Sequence, residues 1–348
     1  MPRKMQEAAK AVAARVGFGR ILGHQRAIAL LESQRVGQRL GHAYCLIGEE
    51  GVGKTTLARA LAEELLLGTP PRGRLEVHPD FWIDDRDEAI SIDEIRFHPE
   101  KGAQAHDQSL QQFLSLKPFA AAARVAILAN AERMTEAAQN CLLKTLEEPP
   151  PGTVLVLTTA FPDHLLPTCL SRCQMIALSS VARRELASWL GSEWNAGDQA
   201  DLVAGFARGR PGWAVRALRD PAWFNEFARW TQELAPLAFA DTSTILLYAS
   251  RFGQGAFQEQ RILAGSALRA LTAWLKDALL ISAGMTEATS VPVSRRPELE
   301  AWAARVPPGH LRGALAGAQR TQLLIDQNVN PRLAMEVLLL DFRVRARA

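Results

Sequence analysis

The stretch that decides the fold reads Gly48-Glu-Glu-Gly-Val-Gly-Lys-Thr55 and matches the pattern G-x-x-x-x-G-K-[ST]. It follows a short apolar run at Ala43–Ile47 that predicts a buried strand, and it precedes a helical pattern over residues 56–67. A strand, a glycine-rich loop and a helix in this order are the context in which the pattern builds a phosphate-binding loop. The sequence therefore predicts an α/β domain that binds a nucleotide at this loop.

The residue types in this loop suit the binding of a phosphate chain. Glycine leaves room for backbone N–H groups to curl around an anion, and the N-terminus of the following helix adds positive potential. We expect Lys54 to contact the β- and γ-phosphates of ATP or ADP and the Thr55 hydroxyl to bind Mg²⁺. A chance glycine turn or an empty, degenerate site is the alternative. The predicted cofactor-binding residues in this stretch are Gly48, Glu49, Glu50, Gly51, Val52, Gly53, Lys54, Thr55 and Thr56.

Length and composition are those of an ordinary globular protein with about two domains. The chain has 348 residues, of which 48% are hydrophobic and 22% are charged, and these values exclude disordered and fibrous classes. A net charge of +3 does not predict a strongly basic surface that coats nucleic acid. No apolar run approaches the ~18 residues that span a bilayer, so we expect no membrane partner.

The cysteines and the first residues bear on the cellular compartment. Four cysteines in this length are too sparse for a disulfide scaffold, which favours a reducing compartment such as the cytoplasm. Residues 1–19 form an Ala-rich extension without a continuous apolar segment. This pattern indicates a loose helix rather than a secretory signal, with a mitochondrial transit peptide as the weaker alternative.

Short apolar runs alternate with helical patterns in the first half of the chain, and such runs predict buried parallel strands. They lie at Ala43–Ile47, Arg124–Leu128, 153–158 and 174–178, and a helix is expected over residues 163–170, before the last of them. After residue 180 the apolar residues recur with a period of 3.6, as in the stripe over 264–279, which indicates helices almost throughout. Asn330 followed by Pro331 predicts an N-cap and the first residue of a last helix.

The predicted organisation is an N-terminal extension, an α/β domain, a small helical lid domain and an all-helical C-terminal domain. These segments lie at 1–19, 20–178, 179–235 and 236–348, and residues 282–297 are expected to form a surface loop. The α/β domain is expected to hold a parallel sheet flanked by helices.

The strand predicted at Arg124–Leu128 lacks the acid that a hydrolytic site needs. Such a site uses a carboxylate at the end of a neighbouring strand to hold Mg²⁺, and an acidic residue beside it to activate water. Here the strand is followed by Ala129-Asn130-Ala131-Glu132. We expect Glu132, which lies past the strand end, to be a solvated loop charge. The sequence therefore predicts a nucleotide-binding protein that hydrolyses ATP poorly.

A set of further motifs has a specific pattern. It comprises the run Asn140-Cys-Leu-Leu-Lys-Thr-Leu-Glu-Glu-Pro-Pro150, the pair Thr158-Thr159, the tripeptide Ser171-Arg172-Cys173, and the stretches Gly23-His24-Gln25, Gly41-His42-Ala43-Tyr44 and Asn328-Val-Asn-Pro-Arg-Leu333. In these motifs the chain resembles the clamp-loader branch of the AAA+ family over essentially residues 20–345. The motifs in the middle of the chain are highly specific, and the C-terminal match is weaker.

The resemblance implies roles for individual residues. Arg172 matches the catalytic arginine finger, which acts in trans on the ATP site of a neighbouring subunit, and Thr158 or Thr159 matches the nucleotide-binding sensor position. Gly212 stands where the family usually has a second sensor arginine, which again suggests a poor ATPase. Most members carry a four-cysteine zinc module, but residues 67–80 contain no cysteine, so we expect no zinc. His78 and His98 are expected to be surface or capping residues.

The resemblance also implies partners. The family's bacterial pentameric ring holds three gamma/tau motor subunits and two further subunits, delta and delta-prime, and it loads the sliding clamp onto primer-template DNA during chromosome replication. We expect this chain to be a non-motor subunit that supplies the finger and contacts clamp and DNA through the complex. Its C-terminal helices would form the oligomerisation collar. The chain itself would carry out no polymerase chemistry. The alternatives are an active ATPase motor, either gamma/tau-like or a branch-migration helicase, and a small-molecule P-loop kinase.

Overall fold

The computed structural model describes residues 16–68, 73–86, 88–97, 108–286, 289 and 296–344. The first fifteen residues of the predicted N-terminal extension and His98 lie outside this part of the chain. The described residues form two compact units. One unit contains the residues up to Ala196 together with Gly209–Trp213, and the other contains Gly197–Arg208 and the chain from Ala214 onward. The domain boundaries predicted at 178/179 and 235/236 remain predictions.

The first unit is built on a parallel sheet with the strand order β2-β3-β4-β1-β5. The strands are β1 (Ala43–Ile47), β2 (Phe81–Asp84), β3 (Arg124–Leu128), β4 (Thr153–Thr159) and β5 (Gln174–Ala177). Every residue of β3 and β4 is buried, which explains why their sequences are continuous apolar runs. Four of these strands are predicted from the sequence. The fifth, β2, is missed because it is a four-residue edge strand that ends in an acid.

Helices cover both faces of the sheet. The helices of this unit are α1 (Gln25–Val36), α2 (Lys54–Leu66), α3 (Ile92–Ile95), α4 (Leu110–Ser115), α5 (Glu136–Glu147), α6 (Pro167–Leu170) and α7 (Arg183–Trp194). Alternate strand residues serve the two faces, as in β1, where Tyr44 and Leu46 pack in one core with α1 and α2, and Cys45 packs in the other with α4 and α5. The predicted α/β fold class is confirmed.

Two helix boundaries differ from the sequence-based expectation for identifiable reasons. Helix α2 begins at Lys54 rather than at residue 56, because the left-handed backbone of Gly53 turns the loop directly into the helix. The single helix expected over residues 163–170 is replaced by a 3-10 turn at Pro162–His164 and the short helix α6. Pro167 has no N–H to donate and therefore starts a new helix instead of continuing the old one.

The second unit consists of helices, as predicted. They are α8 (Gln199–Ala207), α9 (Pro211–Arg219), α10 (Pro221–Leu234), α11 (Thr242–Ala249), α12 (Phe257–Ser282), α13 (Arg296–Ala303), α14 (Pro308–Asp326) and α15 (Pro331–Phe342), with the division between the units falling inside α9. The predicted start of α15 is confirmed, since the Asn330 side chain accepts a hydrogen bond from the Leu333 N–H at 3.2 Å. Of the loop expected at 282–297, the last two residues belong to α13.

The core of this unit is rich in aromatic side chains. Trp302 lies between Trp274 and Phe342, with ring centroids 5.9 and 6.1 Å away, and its Nε1–H donates to the Ala235 carbonyl at 2.8 Å. No helix in the described ranges combines the length and the apolar character needed to cross a bilayer.

Candidate nucleotide site and the segment around Arg172

The phosphate loop connects β1 to α2 through two glycines with positive φ. Gly51 has φ 79° and Gly53 has φ 114°, values that side chains with a Cβ rarely adopt, and this requirement fixes glycine at both positions. From the start of α1, His24 Nε2–H donates to the Val52 carbonyl at 3.0 Å. The loop is thus held from outside its own sequence by a residue of the Gly23-His24-Gln25 motif.

Lys54 is buried at the base of the loop with only 5% of its surface exposed. Its Nζ donates to the carbonyls of Gly48 at 2.7 Å and Glu49 at 3.0 Å. Burial lowers the pKa of Lys54, and the negative charges of Glu132, Glu50 and Glu49 oppose that shift. The ammonium group is therefore held in place by the loop that it serves.

The loop fits a phosphate group. In the described part of the chain, the backbone N–H groups of Gly53, Lys54 and Thr55 have no hydrogen-bond acceptor, as expected for the first turn of a helix. Together with the Lys54 ammonium they form a cradle of donors at a helix N-terminus. The Thr55 side chain is half-buried beside them, and Thr56, Glu49 and Glu50 are exposed. These residues would hold the phosphates of a nucleotide, and Thr55 would contact its Mg²⁺.

The segment Gly209–Trp213 packs directly against the phosphate loop. The Gly212 N–H donates to the Gly51 carbonyl at 2.8 Å, and a Cβ on Gly212 would lie only 2.9 Å from that same oxygen. The close approach of the two backbones thus leaves no room for a side chain at position 212.

The carboxyl end of β3 carries no acid. Ala129 is buried and its N–H donates to the Asp84 carbonyl at 2.8 Å. Asn130 has a left-handed backbone with φ 52°, and its N–H donates to Thr158 Oγ1 at 3.1 Å. Thr158 and Thr159 are both fully buried at the end of β4, next to β1. Thr158 thus lies level with the end of β1, close to where the loop begins. Its hydroxyl accepts the Asn130 N–H and can still donate a hydrogen bond.

Glu132 does not behave as the solvated loop charge expected from the sequence. It lies in a 3-10 turn at Ala131–Arg133, and its Oε1 accepts a hydrogen bond from the Ala160 N–H at 3.2 Å. Its Oε2 is buried and has no hydrogen-bond partner among the described residues. The expectation was wrong because Glu132 folds back toward the end of β4, a contact that local sequence does not reveal.

Arg172 lies at the opposite edge of the sheet from the phosphate loop. Because β5 runs parallel to β1 with Gln174 level with Tyr44, the residues just before Gln174 stand at the amino edge. The loop begins at Gly48, four residues further along β1, so the two levels are about 13 Å apart. Arg172 therefore stands at the edge of the sheet remote from this chain's own phosphate cradle.

The Arg172 side chain is one-third exposed and held by local contacts. Its guanidinium donates to the Thr168 carbonyl at 2.9 Å and pairs with Glu147 at 2.6 Å. The neighbouring Cys169 is buried with its thiol 3.6 Å from the Gln139 carbonyl. Within the described residues no group of His, Cys, Asp and Glu side chains is arranged to hold a metal ion.

The structure brings the phosphate loop, Thr158, Thr159 and Glu132 together at the carboxyl edge and leaves Arg172 apart. Sequence analysis missed the contacts of His24, Gly212 and Glu132. His24 belongs to the Gly23-His24-Gln25 motif, and the position of that motif shortly before the loop is the sequence signal for its contact. His78, predicted to be a surface or capping residue, is half-buried and accepts the Asp80 N–H on Nδ1 at 3.2 Å.

Comparisons with known proteins show similarity to subunits of DNA polymerase III. A family model described as "DNA polymerase III, delta subunit" matches residues 23–182. DNA polymerase III subunit delta′ of Haemophilus influenzae is 34% identical over 206 residues, which cover 54% of this chain and 58% of the relative. The corresponding protein of Escherichia coli is 30% identical over 252 residues, 62% of this chain and 72% of the relative.

A solved structure extends over more of the chain at lower similarity. A DNA polymerase III gamma subunit-related protein of Thermotoga maritima is 20% identical, covers 90% of this chain and 98% of its own, and has a TM-score of 0.42. The match to the Haemophilus influenzae relative spans less than two thirds of that protein's length, whereas the Escherichia coli match spans more. On the family model and these relatives, the chain belongs to the DNA polymerase III subunit delta′ family.

Proposed function

We propose that this chain acts as the delta′ subunit of a clamp-loader complex and supplies Arg172 to the ATP site of a neighbouring motor subunit. The observation that carries the proposal is the position of Arg172 at the amino edge of the sheet, remote from the chain's own phosphate loop. A guanidinium at that position serves a nucleotide held by another subunit. There it stabilises the charge that develops on the transferred phosphoryl group.

The chain's own site binds ATP or ADP with Mg²⁺ and hydrolyses ATP poorly. The donor cradle of the loop supports binding, and the Ala129-Asn130 strand end supports poor hydrolysis, because neither side chain can act as a base toward water. The chain's contribution to ATP turnover is then made through Arg172. No zinc is required at any point in this account.

The partners in the proposal are gamma/tau and delta subunits in a pentameric ring, with the sliding clamp and primer-template DNA contacted through the complex. DNA contacts of such a ring go to phosphates, which suits a chain of nearly neutral net charge. The C-terminal helices form the collar. On α15, Leu333 and Val337 occupy one face and are 58% and 62% exposed, an apolar pair of the kind that packs against a neighbouring helix.

Reconstitution tests this proposal. The full chain is mixed with gamma/tau and delta, and the mass and stoichiometry of the purified complex are measured. We expect one copy of this chain per pentamer, and we expect the double variant Leu333→Asp, Val337→Asp to be lost from it. The control is Val77→Asp, since Val77 is 76% exposed in the sheet unit. A chain that stays apart from both partners, or a double variant that assembles normally, would contradict the proposed role or the collar face respectively.

A further inference from the structure

We propose that Glu132 is the acidic side chain that holds the hydrated Mg²⁺ of the bound nucleotide, replacing the acid missing from the end of β3. The inference rests on the proposed binding of a nucleotide at the phosphate loop. It adds Glu132 to that site, although this residue lies in the 3-10 turn after β3 and not at the end of the strand itself.

The backbone brings Glu132 next to the first residue of the loop. Ile47 at the end of β1 is level with Thr159 of β4, and the Gly48 N–H donates to the Thr159 carbonyl at 3.2 Å. Ala160 follows directly and donates its N–H to Glu132 Oε1 at 3.2 Å. The carboxylate therefore stands at the carboxyl edge of the sheet, beside the strand that leads into the loop.

One oxygen of this carboxylate is left for a ligand. Oε1 is fixed by Ala160, whereas Oε2 is buried and has no partner among the described residues. Lys54 Nζ uses two of its hydrogens on the loop carbonyls and makes no ion pair with Glu132 among the described contacts. A buried carboxylate oxygen without a donor is costly unless a cation or a water binds it.

The charge of Glu132 reaches the nucleotide site. It is the strongest of the three carboxylates that oppose the lowering of the Lys54 pKa by burial. It also adds to the effect of burial in raising the pKa of the Cys45 thiol on β1 to about 11. The carboxylate is thus close enough for its charge to act on both the lysine at the base of the loop and the thiol on β1.

The chemistry of Mg²⁺ fits a carboxylate in this position. Mg²⁺ binds through one or two protein oxygens and substrate phosphates while it keeps several waters. Thr55 would supply one oxygen, and Glu132 Oε2 would accept a hydrogen bond from a metal-bound water. The competing interpretation is that Glu132 only fixes the end of β4 through Ala160, in which case Oε2 has no ligand to bind.

Binding of a fluorescent ADP analogue to the purified full chain, titrated with MgCl₂ or measured in EDTA, distinguishes these interpretations. The variant Glu132→Gln keeps an oxygen for the Ala160 N–H but loses the negative charge. Glu136→Gln is the matched control, since Glu136 is exposed on the first turn of α5. We expect Glu132→Gln to need about 10- to 100-fold more Mg²⁺ to reach half of its effect on ADP affinity, with affinity in EDTA unchanged or tighter.

Each other outcome overturns the inference in a recognisable way. A Glu132→Gln variant with the wild-type Mg²⁺ midpoint shows that the residue has only the structural contact with Ala160. A wild-type chain that binds ADP equally with and without Mg²⁺ removes the metal role but leaves nucleotide binding intact. A wild-type chain that binds no ADP under either condition overturns both this inference and the proposed nucleotide site.

Discussion

The phosphate loop and the segment around Arg172 lie at opposite edges of one sheet, and in the proposed function they act on two different nucleotides. The loop offers backbone donors and a buried lysine at the carboxyl edge, but β3 ends there without an acid. The Arg172 segment offers a partly exposed guanidinium at the amino edge, remote from the loop. The difference teaches that one chain can keep two such groups far apart: in the proposed function the loop holds the chain's own nucleotide, and Arg172 serves a nucleotide held by a second subunit.

The largest expected effect is on nucleotide binding at the phosphate loop. Lys54→Ala should weaken ADP binding by the purified chain about 10- to 100-fold, because charge-assisted hydrogen bonds contribute about 1.5–3 kcal/mol and 1.4 kcal/mol is tenfold. Equilibrium titration with a fluorescent nucleotide measures this. Lys144→Ala, on an exposed position of α5, is the control and should bind normally. Rapid steady-state ATP hydrolysis by the wild-type chain alone, abolished by Lys54→Ala, would show a motor instead.

A smaller effect is expected on the stability of the chain when the contact between Gly212 and the phosphate loop is disturbed. Gly212→Ala places a Cβ 2.9 Å from the Gly51 carbonyl oxygen, so a backbone must shift, and we expect a loss of about 1–3 kcal/mol in stability. Thermal unfolding should show a midpoint lower by about 2–4 °C per kcal/mol. Gly191→Ala, in the middle of α7 with open space around it, is the matched control and should gain up to about 1 kcal/mol. Equal midpoints for the two variants would mean that the contact with Gly51 is dispensable.

The elements predicted well from sequence are those set by local pattern. The loop and four strands are encoded by the P-loop motif and by buried apolar runs, and Asn330-Pro331 marks the start of α15 because a cap and a proline act within one turn. The break at Pro167 was missed, although proline cannot continue a helix and the signal was present in the sequence. The edge strand β2 was not predicted, because an apolar run within only four residues is too short to distinguish a strand from a buried helix segment.

The contacts that define the site depend on residues distant in the chain. Glu132 meets Ala160 and Gly212 meets Gly51 only after the sheet has formed, so no local pattern predicts either contact. The candidate role of Arg172 as an arginine finger came from the resemblance to a family. The physical reason for its separation from the loop, the parallel register of β1 and β5, became available only with the fold.

The most direct test of the central claim measures two effects of Arg172. One is its effect on nucleotide binding by its own chain, and the other is its effect on ATP hydrolysis by the partner subunits. DNA- and clamp-stimulated ATPase is measured for the reconstituted complex with wild type and Arg172→Lys, which keeps the charge but loses the planar fork. Nucleotide affinity is measured for the variant chain alone. A finger contributes roughly 10³–10⁵ in rate at the site that it serves.

We expect the total rate of the complex to fall by about one third, because this chain borders one of three motor sites and the finger's effect is confined to that site. The affinity of the isolated variant for ADP should equal that of wild type. Loss of the variant's own affinity together with a normal ATPase rate of the complex would contradict the account, because it would show that Arg172 acts on the nucleotide of its own chain.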